Sequence, residues 1–402
     1  MMSNTTTTSI NHKKFKLGFV SSRSAHFVND ETVLFNGFDG TLVAELLKSY
    51  PDMGIAAFAD PVKKIQYIQE FKPAHLYQFP FPHSLKGGLL NTFRIRKVLQ
   101  KMQEEHDVLI IQLSFVSFLA LLTISKPTVY QLCTNVLVAA ENPIKYRGLK
   151  KVLSMSYAQL IHWVNKRLFS KANVRVIANG GELADLYKEF NAIEVISSCV
   201  HEHQLISPEE IKPKSDPFSI LFVGRPGLEK GIDLLMQSFG DLKKAGKNVS
   251  LSFAGVTKEV FFEMNPEYKD IVNQYAKDIH FLGMVPFGEQ LFNLYKNSHV
   301  LVLASRVEGT PRVLVEARAF GCPVVATRVG GTPQSVTDGH DGLLFDPEKH
   351  EQLTEALLKL IENPEYRLQM AKNGLETVRT KQTIEIFTKP FRQCVEELAA
   401  TL

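Results

Sequence analysis

The feature that most constrains this chain is an alternation that runs along it twice. Short apolar runs rich in β-branched residues recur, each followed by a stretch with helical spacing. In the first series KLGFVS (16–21), IAAFAD (55–60), DVLIIQ (107–112), PTVYQL (127–132) and VRVIAN (174–179) read as strands. Helices are expected around 42–47 and 89–104. The second series holds SILFVG (219–224), VSLSFAG (249–255), IHFLG (279–283), HVLVLAS (299–305), PVVAT (323–327) and GLLFD (342–346), with a helical tail from about 348. Strands alternating with helices predict a parallel sheet covered on both faces. The polar, proline-bearing segment 212–217 separates the two series. The expected fold is α/β: two doubly wound, Rossmann-like domains facing across a cleft. The expected boundaries are a flexible tail at 1–14, a first domain at 15–212, a linker at 213–217 and a second domain at 218–385. A helix at 386–402 is expected to pack back on the first domain. Ligands in such sheets bind beyond the carboxyl ends of the strands, so the cleft is the default site.

Composition removes several classes. Over 402 residues, 45% are hydrophobic and 22% charged, which excludes a disordered chain and a disulfide-stapled miniature. The net charge of +4 is too mild for a dedicated nucleic-acid binder, and no recognition motif accompanies it. The four cysteines, Cys133, Cys199, Cys322 and Cys394, form no C-x-x-C pair, so neither a zinc site nor a redox pair is expected. The first residues lack the apolar core of a secretory signal, and a reducing compartment is expected. The apolar stretch 108–124 carries Gln112, Ser114, Ser117 and Thr123 and reads as a buried strand and short helix rather than a membrane span.

Three pieces of the second series fall at strand ends. In ILFVGRPGLEKGIDLL, Arg225 and Lys230 flank a glycine-bearing loop before a helix. Two cations beside a helix start suit a diphosphate. The spacing of Gly224, Gly227 and Gly231 is neither G-x-G-x-x-G nor a P-loop. Alone, the loop is equally a plain turn with solvated charges. In the next piece, Glu308 follows a strand, Thr310 suits an N-cap and Pro311 a first helical position. Glu316 lies within that helix. Two such carboxylates can accept hydrogen bonds from sugar hydroxyls, and the helix mouth can take phosphate oxygens. The competing reading pairs Arg312 with Glu316 and leaves Glu308 in water. The third piece is the tight turn Gly330-Gly331-Thr332-Pro333.

In this order the motifs are specific. The second domain resembles the retaining glycosyltransferases of family 4, which have the GT-B fold. The matching residues are V-G-R-x-x-x-x-K-G at 223–231, F-L-G at 281–283, E-G-T-P-R-V-L-V-E-A at 308–317, G-x-P-V-V-A-T at 321–327, G-G-T-P at 330–333 and D-G-x-x-G-L-L at 338–344. The resemblance implies that Arg225 and Lys230 hold the donor diphosphate and stabilise the leaving nucleotide. It implies that Glu316 binds ribose hydroxyls and Glu308 the donor sugar near the reacting centre. Gly309, Thr310, Arg312 and Val313 would contact sugar or phosphate, and Gly283 would lie near the base. Gly37 and Gly40 stand where the family has a glycine pair facing the diphosphate. Cys133 replaces a histidine common in the family, and Gln334 an acidic residue. No Asp-x-Asp occurs in the chain, and neither cofactor nor metal is expected.

A basic stretch completes the reading. Residues 142–181 include Lys145, Arg147, Lys150, Lys151, Lys166, Arg167, Lys171 and Arg175, interleaved with Tyr146, Tyr157, Trp163 and Phe169. A helix over about 149–171 would carry most of it. It suits an anionic membrane surface along 145–175, against the commoner alternative of a solvated charged face. His201 and His203 lie in an expected linker without further ligands, and His26 in a loop after the first strand. The expected activity is retaining, metal-independent transfer of a sugar from a UDP- or GDP-sugar to a saccharide or lipid-linked acceptor. Its expected setting is polysaccharide or glycoconjugate synthesis in the cytoplasm, peripheral to a membrane. A nucleotide-sugar epimerase or hydrolase of the same fold, or a non-catalytic sugar-nucleotide binder, remains open.

Overall fold

The computed structural model describes residues 15–61, 67–80, 91–113, 117–141 and 148–402. The expected tail at 1–14 and the residues Lys145, Tyr146 and Arg147 lie outside these.

The first domain holds strands β1 (Leu17–Phe27), β2 (Val33–Asn36), β3 (Gly54–Ala59), β4 (Tyr67–Phe71), β5 (His75–Phe79), β6 (Val108–Leu113), β7 (Thr128–Leu132), β8 (Val174–Asn179) and β9 (Ile193–Val195). The parallel sheet runs β5-β3-β1-β6-β7-β8-β9. Strands β6 and β7 are buried at every position, which is why they read as unbroken apolar runs. Strand β1 continues past this sheet, where His26 and Phe27 pair antiparallel with β2, and β2 with β4. His26 is thus in a strand rather than a loop.

The second domain holds β10 (Phe218–Val223), β11 (Val249–Ala254), β12 (Ile279–Gly283), β13 (Val300–Leu303), β14 (Val324–Thr327) and β15 (Leu343–Phe345). All pair in parallel in the order β12-β11-β10-β13-β14-β15. The order reverses between β10 and β13. That switch opens a crevice beyond their carboxyl ends, where the loops after both strands can meet a ligand.

The chain enters the second domain earlier than the expected linker at 213–217. Val200 and Ile206 are already buried in the second domain's core. Lys214 hydrogen-bonds the Ser298 carbonyl, so 213–217 is docked on that domain and connects nothing. The chain returns at Ile384, whose N–H donates to the Val200 carbonyl (2.9 Å). Helix Ile384–Ala399 starts where the Thr383 hydroxyl accepts the Ile386 N–H. Its Phe387, Phe391, Val395 and Leu398 are buried in one cluster with Leu17, Phe19 and Ile110 of the first sheet. The core of the first domain is therefore built from both ends of the described chain. Among the described residues, no helix is long and apolar enough to cross a membrane. The stretch 108–124 holds β6 and the helix Ser117–Thr123.

Candidate active site

The wall supplied by the second domain is built from two loops that glycine allows to touch. After β10 the loop turns through Gly231 at φ 61°. A Cβ there would collide with the Ala304 carbonyl, so any other residue would push the loops after β10 and β13 apart. Arg306 ties the same loops together. Its guanidinium grips both carboxylate oxygens of Asp233 (2.8 and 2.7 Å) and both of Glu348 (2.6 and 2.9 Å). It also donates to the Leu228 carbonyl (2.7 Å). These partners hold Arg306 well above the ordinary arginine range. The result is that Lys230 Nζ lies 2.7 Å from Glu308 Oε1, with both side chains largely buried. Arg225 is exposed on the same loop.

The helix that follows begins one residue later than expected. It spans Arg312–Ala319 with Pro311 at the cap and no side-chain cap. Thr310 is therefore not its N-cap; the extended backbone of Pro311 (φ −76°, ψ 105°) takes that place. The Thr310 hydroxyl is buried without a hydrogen-bond partner at the cavity wall. Glu316 is buried and doubly held. Its Oε1 accepts from Cys199 Sγ (3.2 Å) and its Oε2 from the Tyr295 hydroxyl (2.7 Å). Burial and the neighbouring carboxylate raise both donors well above their usual values, so both stay protonated. Each carboxylate oxygen retains a further lone pair for a ligand hydroxyl. The Gly330-Gly331 turn packs against the 308–310 loop, with the Gly331 N–H donating to the Gly309 carbonyl (2.6 Å).

The wall supplied by the first domain is mostly neutral. A rail of amides crosses the carboxyl ends of its strands. Gln112 Oε1 accepts the Ser22 N–H (3.0 Å), and Gln112 Nε2 donates to Gln131 Oε1 (3.0 Å). Gln131 Nε2 reaches Asn179 Oδ1 (3.5 Å), and Asn179 Nδ2 donates to the Ser197 hydroxyl (2.7 Å). Each amide orients the next. Around the rail stand Arg23, Asp39, Cys133 and the Asn135–Glu182 pair (2.8 Å). Burial pushes the Cys133 thiol up to about 12, so it stands there neutral rather than as a thiolate.

The two walls enclose a cavity of about 440 Å³. They touch at its rim. A methyl on Gly180 would stand 3.1 Å from the Thr310 hydroxyl, and one on Gly309 3.5 Å from the Cys133 carbonyl. Gln334 packs against Gly181, where Glu194 Oε1 is also near. An acidic side chain at 334 would face that carboxylate, which accounts for the glutamine.

Arg225, Lys230, Glu308, Gly309, Thr310, Arg312, Val313 and Glu316 all line the cavity. Three expected residues stand outside its lining. The side of Gly37 open to a Cβ is filled by Phe287 of the second domain, and that of Gly40 by Gln69. On that side these glycines serve close packing, while Asp39 between them lines the cavity. Gly283 ends β12 at φ 62°, with its carbonyl accepting the Gly255 N–H (2.6 Å). His26 bonds the Asp60 carbonyl away from the cavity (3.2 Å). Sequence reasoning missed Arg23, Arg306, the amide rail and the Cys199–Glu316–Tyr295 set. The one available signal was a polar residue at or one position before the end of each of three apolar strands. Among the described residues, one group could hold a metal: His201, His203 and Glu385, with His201 Nδ1 2.8 Å from Glu385 Oε1. The expectation that these histidines lack a further ligand nearby is thus corrected. The group sits where the chain crosses between domains and is not part of the cavity lining.

Known proteins bear on this geometry. An uncharacterized glycosyltransferase of Methanocaldococcus jannaschii is 32% identical over 179 residues, covering 44% of this chain and 48% of that protein. The capsular polysaccharide biosynthesis glycosyltransferase CapM of Staphylococcus aureus is 28% identical over 181 residues, 43% of this chain and 44% of that one. The chain thus spans about half the length of the curated relatives it matches. Anabaena HepE, solved in complex with UDP, superposes with a TM-score of 0.67 at 16% identity, over 95% of this chain and all of that one. At that identity the likeness speaks for the fold, the two-domain GT-B architecture. The model of the family described as glycosyl transferases group 1 matches residues 204–377. The second domain, which carries the Lys230–Glu308 pair and Glu316, belongs to the glycosyl transferases group 1.

Proposed function

We propose that this chain transfers a sugar, with retention, from a nucleotide diphosphate donor to a saccharide or lipid-linked acceptor. The observation that carries the reading is the Lys230–Glu308 pair beside the uncapped start of helix Arg312–Ala319. The UDP complex of HepE and the polysaccharide role in CapM's name favour a UDP-sugar over a GDP-sugar and polysaccharide or glycoconjugate synthesis. In this reading Arg225 and Lys230 receive the diphosphate, and Glu316 takes the ribose hydroxyls through its spare lone pairs. Glu308 holds a donor-sugar hydroxyl. Gly309, Thr310 and the helix start around Arg312 and Val313 complete the donor side, and Gly283 lies toward the base.

The chemistry needs charge stabilisation of a departing diphosphate next to an oxocarbenium-like centre. The bond from the anomeric carbon to the phosphate oxygen breaks, and its electron pair stays on the diphosphate. The acceptor hydroxyl attacks on the same face and passes its proton to the departing phosphate oxygen. No protein base is required. Lys230, the exposed Arg225 and the helix start supply the positive field, and in this reading the reaction is independent of metal. The setting is the cytoplasm, at the inner face of a membrane.

The decisive experiment is calorimetric titration of UDP, GDP and their sugar conjugates into the wild type and Glu316→Ala. One nucleotide should bind tightly and lose affinity in the variant. Equal affinity in both proteins would remove the ribose role. Failure of every nucleotide to bind would leave the cleft without its donor.

A further inference from the structure

Helix Leu149–Phe169 is apolar on two faces. One face, with Ala158, Ile161, Val164, Leu168 and Phe169, is buried in the first domain. The other carries Leu149 (74% exposed), Val152, Leu153, Leu160 and Trp163, all at least 48% exposed. These positions follow the spacing i, i+3, i+4, i+11 and i+14, which puts them on one stripe turned away from the buried one. A water-facing helix needs no such stripe. The neighbouring helix Ser117–Thr123 packs against this one and exposes Phe118 and Leu122 at i, i+4. Contiguous exposed apolar side chains at this density mark a surface that is covered in use.

The charges around the stripe say what covers it. Lys150 and Arg167 are exposed on the same helix, and Arg167 lies 5.4 Å from the Trp163 ring. The helix itself carries no acidic residue. Helix Thr92–Glu105, which packs on Ser117–Thr123, adds exposed Arg94, Arg96, Lys97 and Lys101, with Lys97 over the exposed Phe93 ring (4.8 Å). Apolar side chains with a tryptophan, rimmed by cations, match the acyl boundary and headgroups of an anionic bilayer. A second copy of this chain would bring the same cations together and is disfavoured on charge.

The face also connects to the cavity. Helix Val136–Glu141 packs against Leu149–Phe169, and its Val138 and Ala139 line the cavity. Helix Val136–Glu141 therefore lies between helix Leu149–Phe169 and the cleft. We propose that the outward face of helix Leu149–Phe169, with Phe118 and Leu122, seats the first domain on an anionic lipid surface. An amphiphilic acceptor then reaches the cleft along helix Val136–Glu141. The second half of this inference rests on the transferase reading; the docking itself does not.

The test is co-sedimentation of the full chain with vesicles of phosphatidylcholine alone or mixed with phosphatidylglycerol, with light scattering and UDP calorimetry on the same samples. The wild type should bind the anionic vesicles and release them in high salt. Leu149→Ser/Leu153→Ser/Leu160→Ser should abolish binding while leaving the melting curve and UDP affinity unchanged. Lys150→Gln/Arg167→Gln should weaken binding roughly tenfold or more. Wild-type binding that matches the triple serine variant overturns the proposal. So does a wild-type dimer that the serine variant converts to a monomer without any lipid binding. Loss of UDP binding in the wild type would strike the transferase reading and leave the docking result standing.

Discussion

The two walls of the cleft solve different problems. The second-domain wall is charged, and its charges are held by other charges: Arg306 on Asp233 and Glu348, Lys230 on Glu308. The first-domain wall is an amide rail from Gln112 through Gln131 and Asn179 to Ser197, in which neutral groups orient one another. A fixed field suits a leaving group that gains charge, whereas neutral donors and acceptors suit hydroxyls that do not. In the proposed reaction, that contrast would give departure to one wall and acceptance to the other.

Substitutions can break that contrast. The largest effect is expected for Lys230→Gln, which should lower kcat by roughly 10²–10³ with little change in melting temperature. Full turnover in steady-state assays would move the leaving group elsewhere. Tyr295→Phe removes one of two donors to Glu316 and should weaken UDP binding by about tenfold, about 1.4 kcal/mol, near the low end for a hydrogen bond to a charge. Unchanged calorimetric affinity would detach Glu316 from the nucleotide. Gln131→Leu cuts the rail and should raise the acceptor KM several-fold while leaving UDP affinity alone. A drop in UDP affinity instead would erase the division between the walls. The smallest effect belongs to Cys133→Ala. A thiol raised to about 12 is protonated at neutral pH, so turnover should change less than about twofold and iodoacetamide should act slowly. Rapid inactivation by that reagent would make Cys133 a working thiolate.

The charged wall was legible in the sequence through the motifs that follow two strands, although Lys230 and Glu308 stand 78 residues apart along the chain. Lys230 closes the loop after β10, Glu308 lies in the loop after β13, and the sheet order sets those strands side by side. The amide rail was not legible, since its members come from three strands and only the parallel register aligns them; Gln112 pairs with Gln131 across β6 and β7. Gly37 and Gly40 were ambiguous for a related reason. A glycine announces a close approach without saying by what, and here the neighbours are Phe287 and Gln69. The D-G-x-x-G stretch carried the resemblance without a role, and the structure gives it one: Asp341 is fully buried in an ion pair with Arg318 (3.0 Å). Arg318 also bonds Ser335 and Gln382, so this stretch braces the base of helix Arg312–Ala319. Such a motif keeps its residues for the scaffold's sake. A surface-facing basic helix over about 149–171 was expected from its charges, but which of its apolar residues face outward was not legible, since only burial separates the two sets.

Helix Ile384–Ala399 in the core of the first domain has a consequence for how the molecule is made. Strands β1 to β9 leave the ribosome first, but the surface around Phe19 and Ile110 stays uncovered until Phe387 and Phe391 follow. Residues 196–383 separate β9 from that helix, which at roughly 5–20 residues per second leaves the sheet open for about 10–40 s. During that interval the nascent first domain is a client for whatever binds exposed apolar surface, and it is finished only after the second domain has emerged.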